Sequence, residues 1–368
     1  MITKFSVSGY RCFNDQITFD FTKSKDYKFN DSCIKNGIIT KAMVYGNNGS
    51  GKSNLGFAMF DIVGTLTDKN FFAPSADNYI CRDSIRKFAE FNYSFQFGSD
   101  HIEYCYRKTG PLSLTYELVS INGIKLFEYD YCLGHGDFHL ESIQAGTLNL
   151  EHFEPRMSVL KYIINNTRLS AKAPLKLLMN EVNGMLWFRS VFGNNYSGLR
   201  NDVDDIYRKI IENSKVKDLE HFLKENEIDL SLSSERDSSG QPVIIVNYAH
   251  GKALMSDVIS SGTQALILFF YWSMSFNEVS FLFIDEFDAF YHYEVAENIV
   301  KMLRSRKNFQ VVLTSHNTSL ISNHLLRPDC YYILNHGKLV QLCNATRREL
   351  RQAHNLEKMY LSGEFDEA

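Results

Sequence analysis

The sequence predicts an α/β fold: a largely parallel sheet core, an antiparallel β subdomain beside it, and a compact helical insertion without a long coiled coil. Three observations predict it. An apolar run, Ile38 to Tyr45, ends in the glycine-rich stretch Gly46-Asn47-Asn48-Gly49-Ser50-Gly51-Lys52-Ser53 and passes into a helical repeat of Leu55, Met59, Ile62 and Leu66. A second run, Phe281 to Ile284, closes on the carboxylates Asp285 and Glu286, as an interior strand of a parallel sheet would. A third, Phe309 to Thr314, is followed by His316 and Asn317, and ligand sites in parallel sheets lie at such strand ends.

The first of these stretches fits the P-loop pattern G-x-x-x-x-G-K-[ST] in the context the mechanism needs, after a strand and before a helix. Gly46, Gly49 and Gly51 let the backbone turn sharply and bring N–H groups to phosphate oxygens, and the helix N-terminus adds a positive dipole end. Lys52 supplies a point charge for the β- and γ-phosphates and Ser53 a hydroxyl for Mg²⁺. The expected nucleotide is ATP, because no N-K-x-D base-reading motif for GTP occurs in the chain.

Composition narrows the rest. With 368 residues, 44% of them hydrophobic, the chain can bury a large core as one elaborated domain or two intimate ones. A net charge of −4, from 39 basic and 43 acidic residues, gives no general pull toward nucleic acid or an anionic membrane, although a local basic patch is compatible with it. Seven cysteines without a C-x-x-C pair indicate neither a disulfide framework nor a zinc ribbon and fit a reducing cytoplasm. The N-terminus lacks an apolar signal core, and the longest apolar run, Ala265 to Trp272, is too short to span a bilayer. A cytoplasmic protein that is not exported is the expectation.

In chain order, Ile2 to Tyr10 and Gln16 to Phe21 flank an Asn14-Asp15 turn and read as two antiparallel strands. Arg11 between them either reaches toward a nucleotide or is an exposed structural residue. Ala73 to Ser84, with Pro74, reads as loop. Glu90 to Phe97 and His101 to Arg107 flank Gly98-Ser99-Asp100, and Leu114 to Ile121 and Ile124 to Tyr129 flank the hairpin turn Asn122-Gly123. His135-Gly136-Asp137-Phe138-His139 could ligate a metal but reads more simply as a turn. From 153 to 228 helical periodicity dominates; Asp202 and Asp204, after Asn201, form a D-x-D that either binds metal or charges a helix N-terminus.

Ser231 to Gln241 reads as a turn before a strand at Val243 to Tyr248. Ile259-Ser260-Ser261-Gly262-Thr263-Gln264 opens a helix running to about Phe276, apolar on nearly all sides and therefore buried. His292 to Arg306 is helical, Cys330 to Leu334 and Lys338 to Cys343 are short strands, and a final helix is expected from about Arg347. The basic groups Lys301, Arg304, Arg306, Lys307 and Arg347, Arg348, Arg351 read as solvated faces rather than nucleic-acid contacts.

Three distant elements thus point at one ATP. Asp285 is placed to hold Mg²⁺ with Ser53, Glu286 to take a proton from the attacking water, and His316 to reach the γ-phosphate or the water. Each could also be a cap or an ion-pair partner on its own; the three together with the P-loop favour a site.

At these residues the chain resembles the ABC-type ATPases of the SMC, RecF and overcoming-lysogenization-defect (OLD) group. Gly46 to Ser53, with Asn48 and Asn54, is similar to their G-x-N-G-S-G-K-S-N loop. Ser260-Ser261-Gly262-Thr263-Gln264 resembles the signature motif in the form found in abortive-infection and phage-defence ATPases. Asp285-Glu286-Phe287-Asp288 followed by His292 resembles their Walker B segment, and Thr314-Ser315-His316-Asn317-Thr318 their switch-histidine motif. Leu325 to Asp329 and Asn355 to Gly363 resemble the closing segments of the defence subgroup. The resemblance implies two copies packed head to tail, with Ser260, Ser261 and Gly262 of each contacting the other's ATP and Asp288 sensing closure. ATP would join the subunits and hydrolysis release them.

Departures from the pattern also carry information. Tyr291 and Tyr293 replace the Leu and Pro around the post-Walker B histidine, so no role follows for His292. The Q-loop glutamine has only Gln96 as a candidate. Too few residues follow His316 for the Toprim nuclease domain of OLD-type proteins. The expected division is an N-terminal ATPase lobe at 1–150, a helical insertion at 151–230 and a C-terminal ATPase lobe at 231–368. The function these readings support is an ATPase acting as sensor or regulatory subunit of a bacterial anti-phage system. It would work as a homodimer or higher homo-oligomer on a separately encoded nuclease or toxin effector, with no membrane partner. The alternatives are a RecF-like DNA-repair ATPase that binds DNA as a dimer, and an ATP-bound scaffold with incidental turnover.

Overall fold

Local alternation sets the first strands, and long-range pairing completes them. The computed structural model describes residues 1–22, 24–69, 76–189, 195–199, 206–307 and 309–365. Strands β1 (Ile2–Ser8) and β2 (Ile17–Asp20) form the expected antiparallel pair, and a short ribbon of β3 (Ile34–Lys35) and β4 (Ile38–Ile39) leads into β5 (Lys41–Tyr45). The P-loop follows, then helix α1 (Lys52–Leu66). Strands β6 (Ala89–Phe97), β7 (Asp100–Gly110), β8 (Ser113–Ile121), β9 (Ile124–Asp130) and β10 (His135–Phe138) join β1 and β2 in an antiparallel sheet of order β10-β9-β8-β7-β6-β1-β2. Asn122 and Gly123, at φ +53° and +78°, make the tight turn that their types favour.

Helices α2 (Val159–Asn166) and α3 (Pro174–Asn183) come next, then β11 (Met185–Arg189), β12 (Asn195–Gly198), α4 (Ile206–Glu212) and α5 (Val216–Glu225). A small antiparallel sheet of β13 (Ser231–Arg236), β14 (Pro242–Tyr248) and β15 (Gly251–Leu254) precedes α6 (Met255–Val258) and α7 (Ser261–Ser273). The chain closes with β16 (Phe281–Asp285), α8 (Tyr293–Ser305), β17 (Gln310–Ser315), β18 (Tyr331–Asn335), β19 (Lys338–Gln341) and α9 (Leu356–Leu361).

The second large sheet has the order β12-β11-β16-β17-β5-β18-β19. Its inner strands β11, β16, β17, β5 and β18 run parallel, so their carboxyl ends share one edge. β5, β16 and β17 are buried at every residue, which is why they read as unbroken apolar runs. α1 lies between the two large sheets. Gly56 lets it approach the parallel sheet: a Cβ there would meet the Phe283 ring at 2.8 Å and Trp187 at 3.0 Å. On its other side Tyr93 donates to Ala58 O at 2.9 Å, and Asp61 accepts from Lys108 Nζ at 2.6 Å, Tyr79 OH at 2.7 Å and Tyr106 OH at 2.9 Å. Gln310, fully buried on β17, ties the sheets together. Its Oε1 accepts from Ile2 N at 2.7 Å, and its Nε2 donates to Ile2 O at 2.8 Å.

Several expectations need correction. The segment 151–230 is not helical throughout, because Met185–Arg189 forms an interior strand of the parallel sheet. Its five apolar-rich residues follow the helix stop Asn183-Gly184 and are too few to be told from a short helical segment by periodicity. Ser231–Arg236 is a strand where a turn was expected; it is an exposed edge with only Leu232 buried, so serine tolerates the position. His135–Phe138 is likewise a strand, paired with β9. The last helix starts at Leu356, not near Arg347. Asn323 Nδ2 takes the carbonyls of Arg351, Gln352 and His354, which keeps that segment out of a helix, and Asn355 caps α9. Pro74, Asn201, Asp202 and Asp204 lie outside the described residues. Among those described, no helix is long and apolar enough to cross a membrane, and no helix exceeds the 15 residues of α1.

Candidate nucleotide-binding and hydrolysis site

The glycines shape the loop between β5 and α1. Gly49 and Gly51 hold φ of +81° and +108°, and a Cβ on Gly46 would meet Leu334 O at 2.5 Å. Lys52, 4% exposed, folds back over the loop: its Nζ donates to Gly46 O at 2.6 Å and Asn47 O at 3.2 Å. Burial lowers its pKa, while Glu286, Asp285 and Asp288 together pull it up. Those carboxylates act on it through space from one segment, the end of β16 and the turn after it.

Asp285 ends β16 and is 3% exposed. Burial raises its pKa; the Ser53 and Thr314 hydroxyls oppose that rise, as does Arg189. Thr314 Oγ1 donates to Asp285 Oδ1 at 2.8 Å. Glu286 is half-buried and sits at φ +48°, a left-handed conformation that strains a non-glycine residue. Its N–H is held by Thr314 Oγ1 at 2.8 Å. The strain turns the chain at the strand end, so two successive carboxylates leave β16 in different directions.

Residues 41–322 match the family profile described as "AAA domain, putative AbiEii toxin, Type IV TA system". The chain belongs to this AAA family. Among solved structures, the family member is similar to an SMC head bound to the C-winged helix domain of ScpA. That match has 18% identity and a TM-score of 0.47, covering 92% of this chain and 96% of the other. The SMC head domain from Thermotoga maritima gives 14% identity and a TM-score of 0.44, covering 92% and 98%. The recombination mediator RecF with ATPrS gives 13% identity and a TM-score of 0.40, covering 93% and 98%. No curated protein matched the sequence.

The remaining elements of this AAA protein divide into those near the P-loop and those apart from it. Asp288, 7% exposed, accepts from Ser315 Oγ at 2.9 Å, and the same hydroxyl holds Asn317 N at 2.9 Å. Burial raises the Asp288 pKa, and Ser315 and His316 counter it. His316 itself is exposed at the end of β17. Ser260 caps α7, its Oγ accepting from Thr263 N at 3.1 Å; Ser260 and Ser261 are exposed. Gly262 packs on the chain after β16, where a Cβ would meet Phe290 O at 2.8 Å. Among the described residues no hydrogen bond or ion pair joins Ser260, Ser261 or Gly262 to the P-loop.

Other candidates fall outside this constellation. Gln96 lies on β6 and donates to Gly98 O at 2.7 Å. His292 precedes α8 without a side-chain cap bond. Asp137 pairs with Lys125 at 2.6 Å and His139 at 3.2 Å, and no group of three metal-ligating side chains occurs among the described residues. Arg304, within a basic run, donates to Asn30 Oδ1 and to the carbonyls of His324 and Leu325, which makes it a structural bracket. Sequence reasoning gave no separate role to Thr314, which holds the Asp285 carboxylate and the Glu286 N–H. It also missed Arg189, which β11 sets opposite Asp285. Only a knowledge of strand order would have revealed the second.

The residues present fit a nucleotide with a hard cation. The loop opens on free space at Gly49, Ser53 and Asp285 offer oxygen donors side by side, and the buried Ser50 Oγ has no partner of its own.

Proposed function

We propose that this AAA protein binds ATP with Mg²⁺ and hydrolyses it, and that it works as the regulatory subunit of an anti-phage system that controls a separately encoded effector. The observation that carries the ATPase reading is the meeting of Lys52, Ser53, Asp285 and Glu286 at the carboxyl edge of the parallel sheet, where β5 and β16 flank β17. Lys52 would leave its carbonyl partners for the β- and γ-phosphates, and the loop N–H groups from Gly46 to Ser53, with Asn47, Asn48 and Asn54 flanking, would line the phosphate chain. Ser53 and Asp285 would hold the metal, which when bound neutralises phosphate charge. Glu286 would accept the proton of the attacking water, and His316 would orient the terminal phosphate or that water.

The exposed Ser260, Ser261 and Gly262 would serve a second copy, closing over its ATP, with Asp288 responding to that closure. The defence role rests on the family description, which names an AbiEii toxin of a toxin–antitoxin system.

The test is to express Glu286→Gln at its native locus, purify it with ATP and Mg²⁺, and identify what co-elutes. A stoichiometric neighbour-encoded protein supports the effector switch. Co-purifying DNA without such a protein favours a repair ATPase of the RecF kind. A mutant that neither retains ATP nor self-associates overturns the two-copy mechanism. If Lys52→Ala abolishes function while Glu286→Gln leaves it intact, the protein is an ATP-bound scaffold.

A further inference from the structure

The parallel register between β11 and β16 sets Arg189 beside Asp285 as its Cα partner, at the edge where the P-loop opens. Its guanidinium is anchored on aromatic faces: 4.9 Å from the Phe57 ring centroid and 5.5 Å from that of Trp187. Phe57 stands one helical turn after Ser53 on the same face of α1, so a cation stacked on it lies next to the Ser53–Asp285 pair. Arg11 places a second guanidinium 4.6 Å from the same ring. Both guanidiniums thus lie within 5 Å of one ring centroid, and Arg189 feels Asp285 and Arg11 alike; cations gathered beside a phosphate loop favour an anion there. Burial lowers the Arg189 pKa, Asp285 raises it and Arg11 lowers it further.

We propose that Arg189 is a specificity-determining residue that grips the terminal phosphate of the nucleotide, so that the site distinguishes a triphosphate from a diphosphate. This rests on the ATP reading above. The planar fork can bind two phosphate oxygens at once, and its stacking on Phe57 and Trp187 holds the fork in place before the ligand arrives. Lys52, reaching from the opposite element, would hold the phosphates common to both ligands. Arg189, on the strand beside Asp285, would then add to ATP what ADP lacks.

The test uses the full chain in the Glu286→Gln background, with ATP and ADP titrated calorimetrically in Mg²⁺ and in EDTA. Arg189→Gln is expected to cut the ATP-to-ADP affinity ratio about ten- to hundredfold and to change ADP affinity by no more than about twofold. A structural role would weaken both ligands alike, so equal losses, or an unchanged ratio, overturn the proposal. Circular dichroism checks that the variant is folded. If it is not, Arg189→Lys decides: a single ammonium lacks the fork, so a fall of about threefold or more in the ratio is expected and an unchanged ratio refutes the assignment. Should the parent bind neither nucleotide, the ATP reading itself is wrong and the inference falls with it.

Discussion

Thr314 and Asp285 share a hydroxyl–carboxylate hydrogen bond of 2.8 Å across two parallel strands, and the same hydroxyl receives the N–H of Glu286. One side chain therefore holds the Asp285 carboxylate and the Glu286 backbone at the strand end. Thr314→Val keeps the shape and removes both bonds, leaving a buried carboxylate oxygen and an N–H without that partner. Stability should fall by about 1–3 kcal/mol in urea denaturation. Turnover should fall more than nucleotide affinity, because Glu286, whose backbone loses its anchor, is the residue assigned to the attacking water.

Lys52→Ala should weaken ATP binding about ten- to hundredfold, the worth of one lost charge-assisted contact. Fold stability should change little: Lys52 contributes hydrogen bonds to the carbonyls of Gly46 and Asn47, yet its burial opposes its charge. Fluorescence titration with a labelled nucleotide measures the first effect and thermal unfolding the second.

Glu286→Gln should lower kcat by about two to four orders of magnitude while ATP still binds. Because the ligand then persists, ATP should raise the melting temperature of this variant at least as much as that of the native protein. Loss of the ATP-induced shift would remove Glu286 from the proton-accepting role and make it a binding residue.

Lys108 and Asp61 form an ion pair at 2.6 Å with both side chains 5% exposed or less. Lys108→Met should cost about 3–5 kcal/mol, since it leaves Asp61 charged and buried with two tyrosyl donors. Asp61→Asn combined with Lys108→Met should recover part of that loss, because it removes the buried charge while the single amide oxygen keeps one of the two tyrosyl bonds, which reach different oxygens of the carboxylate. A chemical-denaturation cycle of the four proteins checks this.

Lys41, 3% exposed with Nζ donating to Phe309 O at 2.8 Å, has its pKa lowered from 10.5 to about 8 by burial. The folded state therefore binds the proton less tightly than the unfolded chain. The penalty is absent above pH 10.5, grows as pH falls through the window, and is complete below about 8. The stability of the native protein relative to Lys41→Met should thus rise between pH 8 and 10, by at most about 1.4 kcal/mol per pH unit. Urea denaturation of both proteins at pH 7, 8.5 and 9.5 measures it; a flat difference would contradict the burial argument.

The parts of the site legible in the sequence were those written locally. Interior parallel strands bury both faces, so β5, β16 and β17 appear as apolar runs with their functional residues just beyond. Ser260 was legible as the start of α7 because a helix cap is also a local device. Arg189 was not legible: the Asn183-Gly184 stop marks where α3 ends but not which strand β11 joins, and its neighbour in the sheet is nearly a hundred residues away in the chain. The role of Asp61 was not legible either, since nothing near it announces that Lys108 and Tyr106 arrive from β7 and Tyr79 from the segment before β6. Local rules thus found the ends of strands, and strand order decided which ends meet.

The Gln310 bracket on Ile2 spans 308 residues of chain. During synthesis at about 5–20 residues per second, the amino-terminal strand waits roughly 15–60 s for the side chain that locks it. Until then neither sheet has its native seam, and β1 can pair only with neighbours already made. Assembly of the two layers is accordingly a late event of translation, and premature release at any point before β17 yields a chain whose first strand, though paired with β2 and β6, lacks its tie to the parallel sheet.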